Sequence, residues 1–221
     1  MNSIRKEVVA LIALEIKLEW RSKYALGGIV LYIASTILVC YLSFREIISP
    51  DVWNALFWII VLFASLNAVS KSFLQESSAR QLYLYTLAAP QSIILAKIIY
   101  NVMLLVILSL VCFAIYSLFI GNMVKDLWLF LVALLLGSSG FAALMTLISA
   151  IASKTNRNLT LVAILTFPIQ IPLLITVIRL SEKAISGMIW LDCIREISIL
   201  SLINLMIVIL GYVLFPYVWR D

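Results

Sequence analysis

The chain contains no histidine, and its three cysteines, Cys40, Cys112 and Cys193, lie far apart and form no C-x-x-C pair. Histidine and clustered cysteines are the usual ligands of zinc, iron–sulfur clusters and haem, so we expect no metal or cofactor site built from this chain alone. The seven glycines include no G-x-x-x-x-G-K-S/T segment, so the phosphate-binding loop of an ATPase is also missing from the sequence. These absences predict a chain with no catalytic residues of its own.

Charged residues are scarce as well. They make up 12% of the chain, hydrophobic residues make up 64%, and the mean hydropathy is +1.14, which excludes a soluble globular domain. Six long stretches have cores free of charge, and each is close to or above the roughly 20 residues that cross a bilayer as a helix. The sequence therefore predicts an all-α membrane protein with six transmembrane helices, at 24–44, 52–70, 92–121, 127–153, 158–179 and 197–219.

The stretches outside the spans are short. Each is far below the roughly 40 residues at which an independent domain becomes plausible, so we expect a single transmembrane domain over 1–221. Residues 1–23 are predicted to form an interfacial helix with acidic and basic strips on opposite sides. Residues 180–196 are predicted to form a short amphipathic segment on the outer surface.

The basic residues predict the orientation. With six spans, eleven of the sixteen Lys and Arg residues fall on the side that holds both termini, and five fall on the other. Positively charged loops are retained in the cytoplasm, so we expect both termini to be cytoplasmic. We attribute the net charge of +5 to this topology and to the anionic headgroups of the lipid bilayer, with no nucleic acid as a partner.

One polar segment, over 73–90, interrupts the apolar chain on the predicted cytoplasmic side. Ser77 or Ser78 is a suitable N-cap, the residues that follow favour a helix, and Pro90 ends that helix. A partner could push such a helix as a rigid unit, whereas the alternative is an ordinary interhelical loop. Because the cores of the spans contain no ionisable residue, we expect the energy for any transport to come from a partner and not from proton coupling.

Two features stand out inside the spans. Gly137 and Gly140 predict close helix packing in the fourth span, with a substrate-lining role as the alternative. Pro168 and Pro172 each remove a backbone donor from the fifth span and predict a bent helix, either as a static kink or as a moving gate. Five amides are expected to bridge helices more often than to bind a ligand: Asn54, Asn67, Asn101, Gln170 and Asn204.

The order of these parts resembles the permease subunits of type-2 ABC exporters, and within them the CcmB family, the haem-exporter permease of cytochrome c maturation. The spacing of the double proline and the lack of appended domains favour this family within the wider group, and the length of 221 residues suits it. The matching residues are spread over the chain: Phe73-x-x-Glu76, Gln81-Leu82, Leu87-x-x-Pro90, Leu95-Ala96-Lys97, Leu134-Leu135-Leu136-Gly137 and Pro168-x-x-x-Pro172-Leu173-Leu174-Ile175.

The resemblance implies that a cytoplasmic ATPase subunit binds the polar segment and converts its own closure on ATP into movement of the spans. In this interpretation Glu76 is the polar anchor of the contact, and Leu82 and Tyr85 are its apolar filling. The residues assigned to ATPase coupling are Phe73, Glu76, Gln81, Leu82, Tyr85 and Pro90.

The resemblance also implies a multi-pass protein of the bacterial inner membrane, with haem as cargo and ATP bound by the partner. The implied partners are a CcmA-like ATPase, a CcmC-like haem-handling membrane subunit, a small CcmD-like membrane subunit and a second copy of this chain. Haem could pass through this subunit, or ATP-driven motion could release a haem-loaded chaperone. The alternatives are export of another amphiphile, such as a lipid, polysaccharide or drug, and a structural membrane subunit without transport.

Overall fold

A computed structural model describes residues 2–21, 23–44, 48–69, 73, 88–154 and 159–220. All regular structure in these ranges is α-helical, which confirms the predicted fold class for this part of the chain. Seven helices follow one another along it: α1 (Asn2–Arg21), α2 (Lys23–Ser43), α3 (Pro50–Val69), α4 (Pro90–Ile120), α5 (Leu127–Lys154), α6 (Leu159–Ser186) and α7 (Trp190–Arg220).

Four of these helices are long and apolar enough, by length and composition, to cross a membrane. α4 and α7 have 31 residues each, about 46 Å of helix, so their ends extend beyond a hydrocarbon core of roughly 30 Å. The apolar part of α2, Gly27–Ser43, is shorter. The four helices correspond to four of the six predicted spans: Pro50–Val69, Pro90–Ile120, Leu127–Ser153 and Trp190–Tyr217.

α5 is the central helix of the bundle. It packs against α3, α4, α6 and α7, and every side chain over 141–150 is buried. α4 and α7 instead carry many exposed apolar side chains, as is typical of helices that face lipid. α3, α4, α6 and α7 are therefore arranged around α5 as their common neighbour, whereas α1 and α2 pack against α4.

Aromatic side chains fill the space between α3, α4 and α5. The ring of Trp53 lies 5.0 Å from that of Tyr116 and 5.9 Å from that of Phe130. The polar atoms of this cluster are paired, because Trp53 Nε1 donates to the Gly121 carbonyl at 2.9 Å and the Tyr116 hydroxyl donates to the Trp53 carbonyl at 3.0 Å. Aromatic pairs of this kind add about 0.5–1.5 kcal/mol each beyond their area, so the cluster fixes the three helices against one another.

Amide side chains bridge helices, as the sequence predicts, at three positions. Asn54 of α3 donates to the Ile178 carbonyl of α6 at 2.9 Å and accepts from the Ser181 hydroxyl at 2.7 Å. For Asn67 the prediction is wrong, since its amide donates to the Phe63 carbonyl of its own helix at 3.0 Å. The remaining two bridges join α5 to its neighbours, Asn101 of α4 to the Thr146 hydroxyl at 2.8 Å and Asn204 of α7 to the Leu136 carbonyl at 2.9 Å.

The 180–196 region differs from the separate surface segment predicted for it. α6 and α7 both extend into this region and are separated by a short turn at 187–189. Gly187 permits the turn because its φ of +76° lies in the left-handed region that other residues rarely adopt. Lys183 of α6 and Glu196 of α7 form an ion pair of 2.7 Å across it. The charged residues of this region thus lie at the ends of two long helices.

Candidate functional site

The polar segment at 73–90 is described at its two ends, at Phe73 and over 88–90. The other residues assigned to ATPase coupling, Glu76, Gln81, Leu82 and Tyr85, lie outside the described residues. The helices around the two ends therefore define the geometry of this site.

Phe73 anchors the first end. Its ring is fully buried and lies 5.5 Å from the ring of Phe215 on α7. Its backbone N–H donates to the Ser149 hydroxyl of α5 at 3.2 Å. The start of the segment is therefore fixed to two helices at once, one of them the central helix of the bundle.

Lys97 of α4 connects this anchor to α1. Its side chain is 3% exposed, and Nζ lies 4.7 Å from the centre of the Phe73 ring and 3.1 Å from a carboxylate oxygen of Glu15 on α1. Removing an ammonium from water costs several kcal/mol unless an opposite charge compensates for it. The carboxylate supplies that charge, and the face of an aromatic ring attracts a cation as well. Lys97 therefore joins the start of the segment, α4 and α1.

Glu7 of α1 holds the second end. Pro90 is the first residue of α4, and the N-cap residue, Ala89, has no side chain that could cap the helix. Glu7 Oε2 accepts from the Ser92 hydroxyl at 2.8 Å and from the Ala89 N–H at 3.4 Å. A carboxylate is stabilised at a helix N-terminus by the free N–H groups and the helix dipole, so Glu7 caps α4 from a neighbouring helix.

α4 begins two residues earlier than the predicted start of the third span at Ser92. Proline is favoured at the first helical position because its fixed φ suits a helix and its missing N–H would have no partner there. Pro90, assigned to the coupling segment from the sequence, is thus also the first residue of a membrane-spanning helix.

Two acids of α1 lie on its inward face, and two of its bases lie on its outward face. Glu7, Leu11 and Glu15 are half-buried against the bundle, whereas Lys6 and Lys17 are exposed. Glu7 and Glu15 thus meet α4, whereas Lys6 and Lys17 face away from the bundle.

Sequence reasoning missed Glu7, Glu15 and Lys97 as members of this site, because spacing alone does not show which distant helices meet. Two signals were present. Glu7 and Glu15 are eight residues apart, about 80° around a helix, and so share a face. Lys97 interrupts the otherwise uncharged stretch 92–121, where an unpaired charge would be costly.

α7 closes the site on one side. Beyond the contact of Phe215 with Phe73, its C-terminal half faces the first turn of α4. The two helices border a cavity of about 300 Å³ lined by Gln91, Tyr212, Val213, Pro216 and Tyr217. The cavity thus lies beside the start of α4, near the end of the segment that Glu7 holds.

Gly137 and Gly140 lie where neighbouring helices approach α5 closely. A β-carbon at Gly137 would lie 2.8 Å from the Trp58 ring of α3. At Gly140 it would lie 2.8 Å from Asn204 Oδ1 of α7 and would overlap Leu173 of α6. Both positions thus face helices of the same chain, at separations that leave no room for a side chain.

Pro168 and Pro172 lie inside α6, which remains helical through both, and their side chains face away from the bundle. Gln170 lies between them and is 1% exposed. Neither polar atom of its side chain has a hydrogen-bond partner in the described part of the chain. A buried unpaired amide costs about 1–3 kcal/mol. This stretch of α6 therefore combines two missing backbone donors with an unpaired amide.

Comparison with known families identifies the chain. The family model described as CcmB protein matches residues 6–217, nearly the whole sequence. The chain belongs to the CcmB family. CcmB proteins are permease components of the haem-export ABC system of cytochrome c maturation, so the resemblance drawn from the sequence is confirmed. No curated protein matches the chain.

Proposed function

We propose that this CcmB protein is the non-catalytic permease subunit of an ABC complex that supplies haem on the periplasmic side for attachment to c-type cytochromes. The observation that carries the proposal is the CcmB match over residues 6–217. A sequence without histidine or a phosphate-binding loop agrees with it, since haem binding and ATP hydrolysis are then tasks of other subunits. The haem is cargo in this account and not a resident cofactor.

The 73–90 segment is the contact for the ATPase subunit. Both of its described ends are fixed to helices, Phe73 to α5 and α7, and Ala89 to α1 through Glu7. Because both ends are fixed, a displacement of the segment is transmitted directly to the membrane helices. Glu76 is the polar anchor of the contact, and Gln81, Leu82 and Tyr85 complete it.

This chain crosses a bacterial inner membrane six times, with α2 and α6 as the spans beyond the four that qualify by length and composition. Both termini and the 73–90 segment are cytoplasmic, in accord with the distribution of basic residues. The complex pairs two copies of this chain with a CcmA-like ATPase, a CcmC-like haem-handling subunit and a small CcmD-like subunit. ATP-driven motion moves haem through the permease or releases the haem-loaded chaperone from its partner.

Deletion of the gene tests this proposal. Covalent haem in periplasmic c-type cytochromes, detected by a haem stain of denaturing gels, is expected to disappear and to return when the gene is supplied on a plasmid. A b-type cytochrome, whose haem is not covalently attached, serves as the matched control and should be unchanged. Normal covalent haem in the deletion strain, with a loss of lipid or polysaccharide export, would contradict the proposal and support another cargo.

A further inference from the structure

α1 is fastened to α4 at two separate points. Glu7 and Glu15 are eight residues apart on α1, about 12 Å along the helix, and they contact Ser92 and Lys97, which are five residues apart on α4. One contact between two helices allows one to pivot on the other. Two contacts at this separation resist both pivoting and sliding.

Each fastening point also touches one end of the 73–90 segment. Lys97 lies over the ring of Phe73, and Glu7 accepts from the N–H of Ala89. α1 is therefore tied to both ends of the segment, although it precedes the segment by some 50 residues in sequence.

We propose that Glu15 and Lys97 are positioning residues of the ATP-driven step: their buried ion pair keeps α1 and α4 together as one body, so that a push on the segment moves both helices. This inference rests on the proposed ATPase contact at 73–90 and assigns it a second membrane element. Without the pair, α1 would be held to α4 only near Glu7 and could pivot on it, so a push on the segment would move α1 less than α4.

The burial of the pair favours this role over that of a surface ion pair. The side chains of Lys97 and Glu15 are 3% and 18% exposed, whereas the charges on the outward face of α1, Lys6 and Lys17, are exposed. Exposed pairs are screened by salt and hold their geometry weakly, while a buried pair with little access to water keeps its two helices in register.

A purely structural pair must be separated from a positioning pair. Removing one partner leaves a buried charge without compensation and destabilises a protein, so a single substitution does not distinguish the two roles. Replacing both partners with apolar residues of similar size is often neutral for stability. The informative variant is therefore Glu15→Met with Lys97→Met, in the full chain and within the complete complex.

Three quantities are measured for this double variant: its amount in the membrane, the ATPase rate of the purified complex, and covalent haem in c-type cytochromes. We expect the first two to stay within twofold of wild type and the haem signal per unit of ATPase activity to fall at least tenfold. Lys97→Arg with Glu15 unchanged keeps an ion pair at this point and should keep the haem signal. Lys183→Met with Glu196→Met, which removes the ion pair at the opposite end of the bundle, is the matched control and should keep it.

A wild-type ratio of haem signal to ATPase activity in the Glu15→Met/Lys97→Met variant would overturn the inference. If that variant does not accumulate, Glu7→Cys with Ser92→Cys decides, in a background without the three native cysteines. Bridging the two thiols with a short bis-methanethiosulfonate reagent should raise the haem signal over the unbridged variant, and an unchanged or lower signal would contradict the inference. Failure of the proposed function has a different signature, because the wild-type complex would then show no ATPase binding or no dependence of covalent haem on this gene.

Discussion

Lys97 holds its ammonium 4.7 Å from the centre of the Phe73 ring, although the two residues lie at opposite sides of the coupling segment in sequence. The same ammonium pairs with Glu15 of α1 at 3.1 Å. The start of the segment is thereby attached to α4, which follows the segment, and to α1. Phe73 thus anchors the segment to the bundle, and substituting it tests how much this contact stabilises the protein.

Phe73→Ala should lower the stability of the protein. The ring is fully buried against Phe215, and removal of a buried Phe side chain costs about 3 kcal/mol. Unfolding by SDS titration in mixed micelles would measure the change in free energy. Phe63→Ala is the matched control, since that ring is 42% exposed and its removal should cost less than about 0.5 kcal/mol. Equal losses for the two variants would show that Phe73 is not an anchor.

Gly140→Ala should destabilise the bundle by about 1–3 kcal/mol, because the new methyl group would overlap Leu173 and lie 2.8 Å from Asn204 Oδ1. SDS titration in mixed micelles measures this change in the free energy of unfolding as well. Gly27→Ala is the control, since a β-carbon there meets nothing within 4 Å and alanine favours a helix over glycine. A neutral Gly140→Ala variant would mean that α6 and α7 can separate from α5 at little cost.

Pro168→Ala combined with Pro172→Ala should straighten α6 and impair cytochrome c maturation while ATPase binding persists. Each alanine restores one backbone donor to the helix. Spin labels near the two ends of α6 report its length by pulsed EPR, and a haem stain reports function. Pro50→Ala, at the first residue of α3, is the control because proline there removes no helical hydrogen bond. A longer α6 with unchanged maturation would leave only the static-kink interpretation.

The four helices that are long and apolar enough to span were predictable because the lipid surroundings impose a simple rule. A helix in hydrocarbon satisfies its own backbone and tolerates few charges, so long uncharged stretches mark it, as at 127–153. The start of α4 at Pro90 and the extension of α6 and α7 into 180–196 depend on local capping and on Gly187, which a hydropathy pattern does not report.

The contacts of the site were less predictable, because they join residues that are distant in sequence. Glu15 and Lys97 are 82 positions apart, and their pairing depends on which face of α1 meets α4. Even within a span, the amide of Asn67 turned to its own helix while that of Asn101 reached a neighbour. Residue type indicates that a polar group in a membrane needs a partner, and tertiary packing decides which one it finds.

Glu76→Lys tests most directly the central claim, that ATP-driven motion enters this permease through the 73–90 segment. The substitution places a cation where the proposed contact has its anionic anchor. Glu182→Lys makes the same change at an exposed position near the opposite end of the bundle and is the control. Affinity purification measures ATPase binding, and a haem stain measures covalent haem in c-type cytochromes. We predict that Glu76→Lys loses covalent haem at least tenfold at a normal amount of permease in the membrane, whereas Glu182→Lys does not. Wild-type maturation together with full ATPase binding in Glu76→Lys would contradict the account.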